Sequence, residues 1–316
     1  MTKHQKLGKK NYSNMTKVSY VCPVFNKIKY LEDVLSSIEN QIGDFDKEYI
    51  FIDDGSTDDS LKILKKETRK LKNCKIISQK NKGSANATNV GINLAKMKYI
   101  KFLDADDVIL SNATFCLLKL LENNQESVLA YGLQRKVKNI KLVDLEEDFN
   151  SDKTLIIQNP ILLAMRNSMF NPSQFLARRE LCQKAGGCDE RVIHSQEYSL
   201  TLRLSRLGAF IKLNYPIAIL PFHAPGQISE KKNNQIYRVS KALELFVKEN
   251  KDLSLYNKLF ATRRLTARSW RFARRISNSS IFSRWFLLYI LGLIKFPFFK
   301  NEICFHANKI YEKFLD

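Results

Sequence analysis

A chain of 316 residues with 44% hydrophobic and 27% charged side chains can bury a large core, and no run in it reaches the roughly 18 apolar residues of a confident membrane span. Its charge is less ordinary: 52 Lys+Arg against 32 Asp+Glu leave a formal +20. Such an excess favours polyanions, whether nucleic acid, anionic lipid or phosphorylated substrates. Residues 1–17 carry Lys3, Lys6, Lys9, Lys10 and Lys17 with no acid, and residues 231–300 set 16 Lys/Arg against Glu244, Glu249 and Asp252. The excess therefore belongs to the two ends. The first 17 residues lack an apolar run and read as a basic disordered tail, not a secretory signal.

In chain order, Val18–Cys22 reads as a strand, and Tyr30, Leu31, Val34, Leu35 and Ile38 follow with helical spacing. Tyr49–Ile52 is a second strand, with Thr57 capping a helix whose first turn holds Asp58 and Asp59. Lys75–Ser78 is a third, and Ser84 opens a helix through Val90 and Leu94. Tyr99–Leu103 is a fourth, followed by a helix capped by Ser111 and bearing Phe115, Leu118 and Leu121. Strands alternating with helices predict an α/β domain with a mostly parallel sheet. From Leu129 to Leu220 the pattern loosens: a strand near Phe175, a helix from Ser195 to Leu207, short strands near Ile211 and Ile217. Residues 226–316 read as an all-helical, basic appendage. None of the six cysteines forms a CxxC pair, so structural thiols in a reducing, cytoplasmic protein are expected.

Two acidic clusters fall where strands give way to loops, Asp53-Asp54 and Asp104-Ala105-Asp106-Asp107. That edge of an open α/β sheet is where ligands bind. Carboxylates gathered there repel one another unless a cation intervenes, and a hard ion such as Mg²⁺ or Mn²⁺ takes oxygen ligands shared with substrate phosphates. Asp104 and Asp106, two apart on an extended segment, can leave it on the same side. The bland alternative, acids as caps and turn formers, is preferred for Asp58 and Asp59.

Pro23-Val24-Phe25-Asn26, Gln41, Asp53-Asp54-Gly55-Ser56-Thr57-Asp58, Asn81-Lys82-Gly83, Asn89-Val90-Gly91 and Phe102-Leu103-Asp104-Ala105-Asp106-Asp107 together resemble family 2 of the inverting glycosyltransferases, with the GT-A fold, as found in bacterial surface-polysaccharide synthesis. The resemblance covers about Val18 to Leu220, and the catalytic domain is placed at residues 18–225. It implies that Pro23, Val24, Asn26, Asp53 and Asp54 belong to the donor site, the last four holding the uracil and ribose of a UDP-sugar. It gives Asp104 to the donor and the metal, Asp106 directly to Mn²⁺ or Mg²⁺, and His223 to the metal as well, closing the donor site. Thr88 departs from the family, which often has Arg there; the expectation is that a donor-phosphate contact is missing or that Lys82 or Lys101 replaces it. Gln196-Glu197 resembles the family's acidic pair at a helix start, which makes Glu197 the catalytic base, a glutamate where aspartate is more frequent.

The reading is therefore a metal-dependent transfer of a sugar from a UDP donor to a saccharide acceptor, lipid-linked in one version, by inverting displacement. A sugar nucleotidyltransferase would share the sheet but want a Gly-rich cationic loop after the first strand, which Pro23–Asn26 is not. A nucleic-acid-binding role for Arg263–Arg275 would leave the acidic clusters unused, so nucleic acid is not the expected partner. Cations beside the short apolar stretch Trp285–Ile294 suit a helix lying on an anionic membrane, with Trp285 and Tyr289 at the headgroups, on the inner face of the plasma membrane. The competing expectation is that Trp285, Phe286, Leu287, Ile290 and Leu291 pack as core.

Overall fold

The computed structural model describes residues 16–146, 154–192, 196–222, 232–294 and 300–314. The strands are β1 (Thr16–Val24), β2 (Phe45–Asp53), β3 (Cys74–Ser78), β4 (Tyr99–Phe102), β5 (Val108–Ile109), β6 (Ser127–Val137), β7 (Thr154–Ile157), β8 (Phe175–Arg178) and β9 (Ala209–Pro221). Between the first strands run α1 (Leu31–Glu39), α2 (Ser60–Glu67), α3 (Ser84–Leu94) and α4 (Ala113–Asn123). Later come α5 (Ile161–Arg166), α6 (Arg179–Lys184) and α7 (Gln196–Leu204), then the C-terminal α8 (Lys232–Glu249), α9 (Leu255–Ser277), α10 (Arg284–Leu293) and α11 (Lys300–Asn308).

One sheet runs β3-β2-β1-β4-β8-β6-β9-β5, with β7 added to β9. β3, β2, β1 and β4 are mutually parallel, as the strand–helix alternation predicts. Beyond β4 the sheet is mixed: β8 runs antiparallel to β4 and β6, while β6 pairs parallel with β9. The two strands expected near Ile211 and Ile217 are one long β9, whose register against β6 shifts at irregularities. Side-chain alternation builds both faces. Tyr20, Cys22 and Val24 of β1 join Tyr49 and Phe51 of β2 on one side, and Val21 joins Ile50 and Ile52 on the other. α3 lies so close that a Cβ on Gly91 would fall 2.3 Å from Val21 Cγ1, which is why glycine stands in that motif.

Several starts differ from expectation, β2 beginning at Phe45 and β3 at Cys74. β1 includes Thr16 and Lys17, α2 follows Asp59 instead of Thr57, and α4 follows Asn112 instead of Ser111. Asp58 acts as a turn former instead, its Oδ1 accepting from the Ser60 amide at 2.9 Å and its Oδ2 from the Ile28 amide at 3.4 Å. All six cysteines are free. Most of the N-terminal tail, the boundary placed at residue 225, and His223 lie outside the described residues.

The C-terminal helices do not stand apart. Leu243 and Phe246 of α8, Leu265 of α9 and Cys304 of α11 share one apolar cluster with Ile161 and Met165 of α5 and Tyr198 and Leu202 of α7. Trp270, Phe272, Trp285, Ile310 and Tyr311 form a satellite cluster. Trp285, 7% exposed, is thus core and does not reach outward as a headgroup anchor. Phe286 packs against the same cluster, as the packing expectation had it, whereas Leu287, Ile290 and Leu291 are exposed. No helix among the described residues is long and apolar enough to cross a membrane.

Candidate active site

The ends of β1, β2 and β4 meet at one edge, where Val24 is in register with Asp53 and Val21 with Phe102. A cleft of about 490 Å³ opens there, lined by Pro23, Val24, Asp54, Asp104, Asp106 and Glu197 among others. Its rim loops are tied down by the acids at the strand ends. Asp54 takes three donors: Gln79 Nε2 at 2.8 Å, the Lys82 amide at 2.9 Å and the Gly83 amide at 2.8 Å. This fixes the loop that leads into α3. Asp53 accepts from Ser78 Oγ at 2.9 Å and the Ser56 amide at 3.3 Å. Asn26, in the left-handed region at φ 52°, accepts from the Thr57 amide at 2.8 Å and bridges the first two loops.

The floor is a crowded group of carboxylates. Burial pushes Asp104 up to about 8, and the neighbouring Asp106 and Glu197 charges add to the shift against Lys27 and Lys101. Asp107 is driven well above the carboxylate range, by burial and then by Asp104 and Asp106, and its Oδ2 is buried without a hydrogen-bond partner among the described residues. Such crowding is what a bound cation relieves. Here Lys27 Nζ makes an ion pair with Asp106 Oδ2 at 2.6 Å. Among the described residues no group of three or more His, Cys, Asp and Glu side chains is arranged to hold a metal ion. Asp104 and Asp106 can supply two hard oxygen ligands, and phosphate oxygens of a substrate suit the remainder.

Glu197 sits in the first turn of α7. Burial raises its carboxyl to about 7, although its own amide, Ser168 and the Tyr198 amide pull the other way. Ser168 Oγ lies 3.4 Å from Glu197 Oε1. A carboxylate balanced near neutrality is suited to accept a proton at physiological pH. The adjacent Gln196 accepts from Ser84 Oγ at 2.7 Å and so fastens α7 to the start of α3. Further along α3, Asn89 holds the Gly187–Glu190 segment that precedes α7, accepting from the Cys188 amide at 2.7 Å and donating to Glu190 Oε1 at 2.7 Å. Gly187, at φ 65°, leaves room for it, since a Cβ there would fall 2.3 Å from Asn89 Oδ1.

The structure thus gathers Pro23, Val24, Asp54, Asp104, Asp106 and Glu197 around one space. Asn26, Asp53 and Lys82 are not in its lining; the first two brace loops, and the Lys82 side chain is exposed. Lys101 is corrected outright: it is fully buried, donates to the Phe102 and Ser173 carbonyls, and burial lowers it to about 7. It cannot stand in at the donor phosphates. Thr88 is buried against a small cavity beneath the cleft that Glu197 and Asp104 also line. Sequence reasoning missed Lys27, Gln134, Lys136, Ser168 and Asn171 in the lining. Lys27 directly follows a motif residue; the others carry no local signal.

The family model described as "Glycosyl transferase family 2" matches residues 19–186, just over half of the chain. Chondroitin synthase of Escherichia coli is 28% identical over 215 residues, 67% of this chain and 30% of that protein. The poly(ribitol-phosphate) beta-N-acetylglucosaminyltransferase TarP of Staphylococcus aureus is 34% identical over 159 residues, 48% of this chain and 47% of TarP. The chain therefore spans under half the length of either relative. Among solved structures, S. aureus TarS 1–349 in complex with UDP-GlcNAc superposes with a TM-score of 0.65 at 17% identity, covering 95% of this chain and 91% of that one. A complex of the same protein with UDP gives 0.62.

Proposed function

This chain belongs to glycosyl transferase family 2, and we propose that it moves a sugar from a UDP donor to a saccharide hydroxyl by one inverting displacement. The observation that carries the reading is the placement of Glu197, near neutrality, across one cleft from Asp104 and Asp106. The acceptor oxygen attacks the anomeric carbon as the bond from that carbon to the diphosphate breaks. Glu197 takes the acceptor's proton, and the electron pair departs with UDP. Asp104 and Asp106 would hold Mn²⁺ or Mg²⁺, which when bound neutralises charge on the leaving diphosphate. Asp54 and the loop it fixes shape the nucleotide end. The UDP and UDP-GlcNAc complexes of TarS support the uridine part. The polymers named in the two relatives support a polymer acceptor, and we place the reaction in cell-surface polysaccharide or lipopolysaccharide assembly. The test is a screen of nucleotide sugars for UDP release, with and without Mn²⁺. Release from at least one UDP-sugar is expected, and release only from another nucleotide's sugar overturns the uridine assignment.

A second observation supports contact with an anionic membrane, which we place at the inner face of the plasma membrane. Leu287, Ile290, Leu291 and Ile294 form an exposed stripe on α10 and its C-cap, continued by Phe282, which is 91% exposed. Arg274 and Arg275 in the last turn of α9 and Arg284 at the start of α10 are exposed as well. An apolar stripe together with cations suits the interface of a bilayer, each cation adding on the order of 1 kcal/mol near an anionic surface. The full chain should float with anionic liposomes at low salt, and less so at high salt. Phe282→Asp with Leu287→Asp should abolish flotation; unchanged flotation would remove this face from the interface.

A further inference from the structure

The cationic α9 meets the catalytic part at the end of α5. The carbonyl oxygen of Arg166 accepts from Arg264 Nε at 2.7 Å and from Arg268 Nη2 at 2.9 Å. Arg264 Nη2 also donates to Asn167 Oδ1 at 2.5 Å. Two guanidiniums on one oxygen stand side by side. Burial lowers the Arg264 pKa, and the charges of Arg268, Arg271 and Arg166 lower it further. No acidic side chain among the described residues makes an ion pair with any of these four. The Tyr198 hydroxyl hydrogen-bonds the Arg268 side chain, yet Nη1 of Arg268, a residue 9% exposed, has no hydrogen-bond partner among the described residues.

Capping of a helix C-terminus explains one such cation, and its benefit is modest. It does not explain several cations gathered without a counter-charge, which repel one another and oppose folding. An anion supplied from outside would relieve that repulsion. The corner also adjoins the reacting end of the cleft. Tyr198, next to Glu197, donates to the Met165 carbonyl at 3.3 Å. Arg166, Asn167 and Ser168 are consecutive exposed residues, and Ser168 lines the cleft beside Glu197. A molecule whose hydroxyl reaches Glu197 can therefore extend along this segment to the arginines.

We propose that Arg166, Arg264 and Arg268 form an anion subsite that binds a phosphate group of the acceptor. The proposal rests on Glu197 marking the acceptor's end of the cleft. Phosphate fits better than carboxylate because a carboxylate's two oxygens satisfy one guanidinium fork, whereas a phosphate offers oxygens to several. Two kinds of acceptor carry it: a glycan with phosphodiester links, and a saccharide on a prenyl diphosphate carrier.

Calorimetric titration of the full chain distinguishes them, with glycerol phosphate oligomers as one probe and farnesyl diphosphate as the other. Saturating UDP is present so that the donor's own phosphate site is filled. One probe should bind the wild type, and the stronger identifies the source of the phosphate. Binding should weaken roughly 10- to 100-fold in Arg264→Gln and in Arg166→Gln, the range for loss of a hydrogen bond to a charged group. The Arg166 side chain is exposed, so that variant keeps the test sound if Arg264→Gln folds poorly. Arg263→Gln, which removes an exposed arginine one residue away, should bind as wild type. Failure of both probes, wild-type binding by both variants, or equal weakening by Arg263→Gln overturns the subsite. UDP affinity, measured alone, reports separately: its absence would refute the donor assignment and leave the phosphate result to stand or fall by itself.

Discussion

Glu197→Gln is expected to cut turnover by roughly 10²–10⁴-fold, the contribution of a positioned general base, with UDP affinity held within about twofold because the amide keeps the shape. The expectation has a pH signature. Burial disfavours the ionised carboxylate, while the first-turn amides and Ser168 favour it, and the net result lies at about 7. The base is therefore competent above that pH and protonated below it. In the wild type, kcat/KM should rise about tenfold per pH unit on the acid side and flatten beyond neutrality. The variant should lose that limb along with most of its rate. Retention of both would reduce Glu197 to a helix-start residue, and the acids just before it in the sequence offer no ready replacement. Asp189 is held by Arg191 at 2.8 Å, and Glu190 is occupied by Asn86 and Asn89.

Much of this site was legible because its floor is local in sequence. A strand that runs directly into Asp104-Ala105-Asp106 places its acids by chain geometry alone, and β1, β2 and β4 converge because the intervening helices force parallel pairing. The far wall was not legible. β6 and β9 pair across about 80 residues, through irregular register, and neither run announces its partner. The roles of strand-end polar groups were also ambiguous, since a carboxylate that braces a loop and one that binds a ligand occupy the same place in a sequence. Asp53 and Asn26 brace; Asp54 both braces and faces the cleft. Lys101 was open to better reading: side chains alternate along β4, whose other residues are all apolar and buried, so a lysine within it had to point into the interior. Lys27 could not be found this way. A lysine after a turn is commonplace, and only the folded chain shows its ion pair with Asp106.

That ion pair shapes the second large expectation, for Asp106→Asn and for metal removal. EDTA should abolish transfer, and Mn²⁺ or Mg²⁺ should restore it. Asp106→Asn should lose roughly 10²–10³-fold, which corresponds to the several kcal/mol that a cation contributes at a diphosphate leaving group. The fold should survive, because the side chain sits at a strand end and its ion-pair partner, Lys27, is itself part of the cleft lining. The same geometry predicts a competition. Lys27 Nζ neutralises Asp106 in the free protein, so a divalent cation must displace it or share the carboxylate. Lys27→Met should remove the competitor and tighten Mn²⁺ binding, as read by electron paramagnetic resonance titration without any substrate. Asp106→Asn should weaken the same titration. Full activity in EDTA, or Mn²⁺ affinity indifferent to both substitutions, would mean that the acidic floor is neutralised by Lys27 itself and that the leaving diphosphate is met by the protein's own cations.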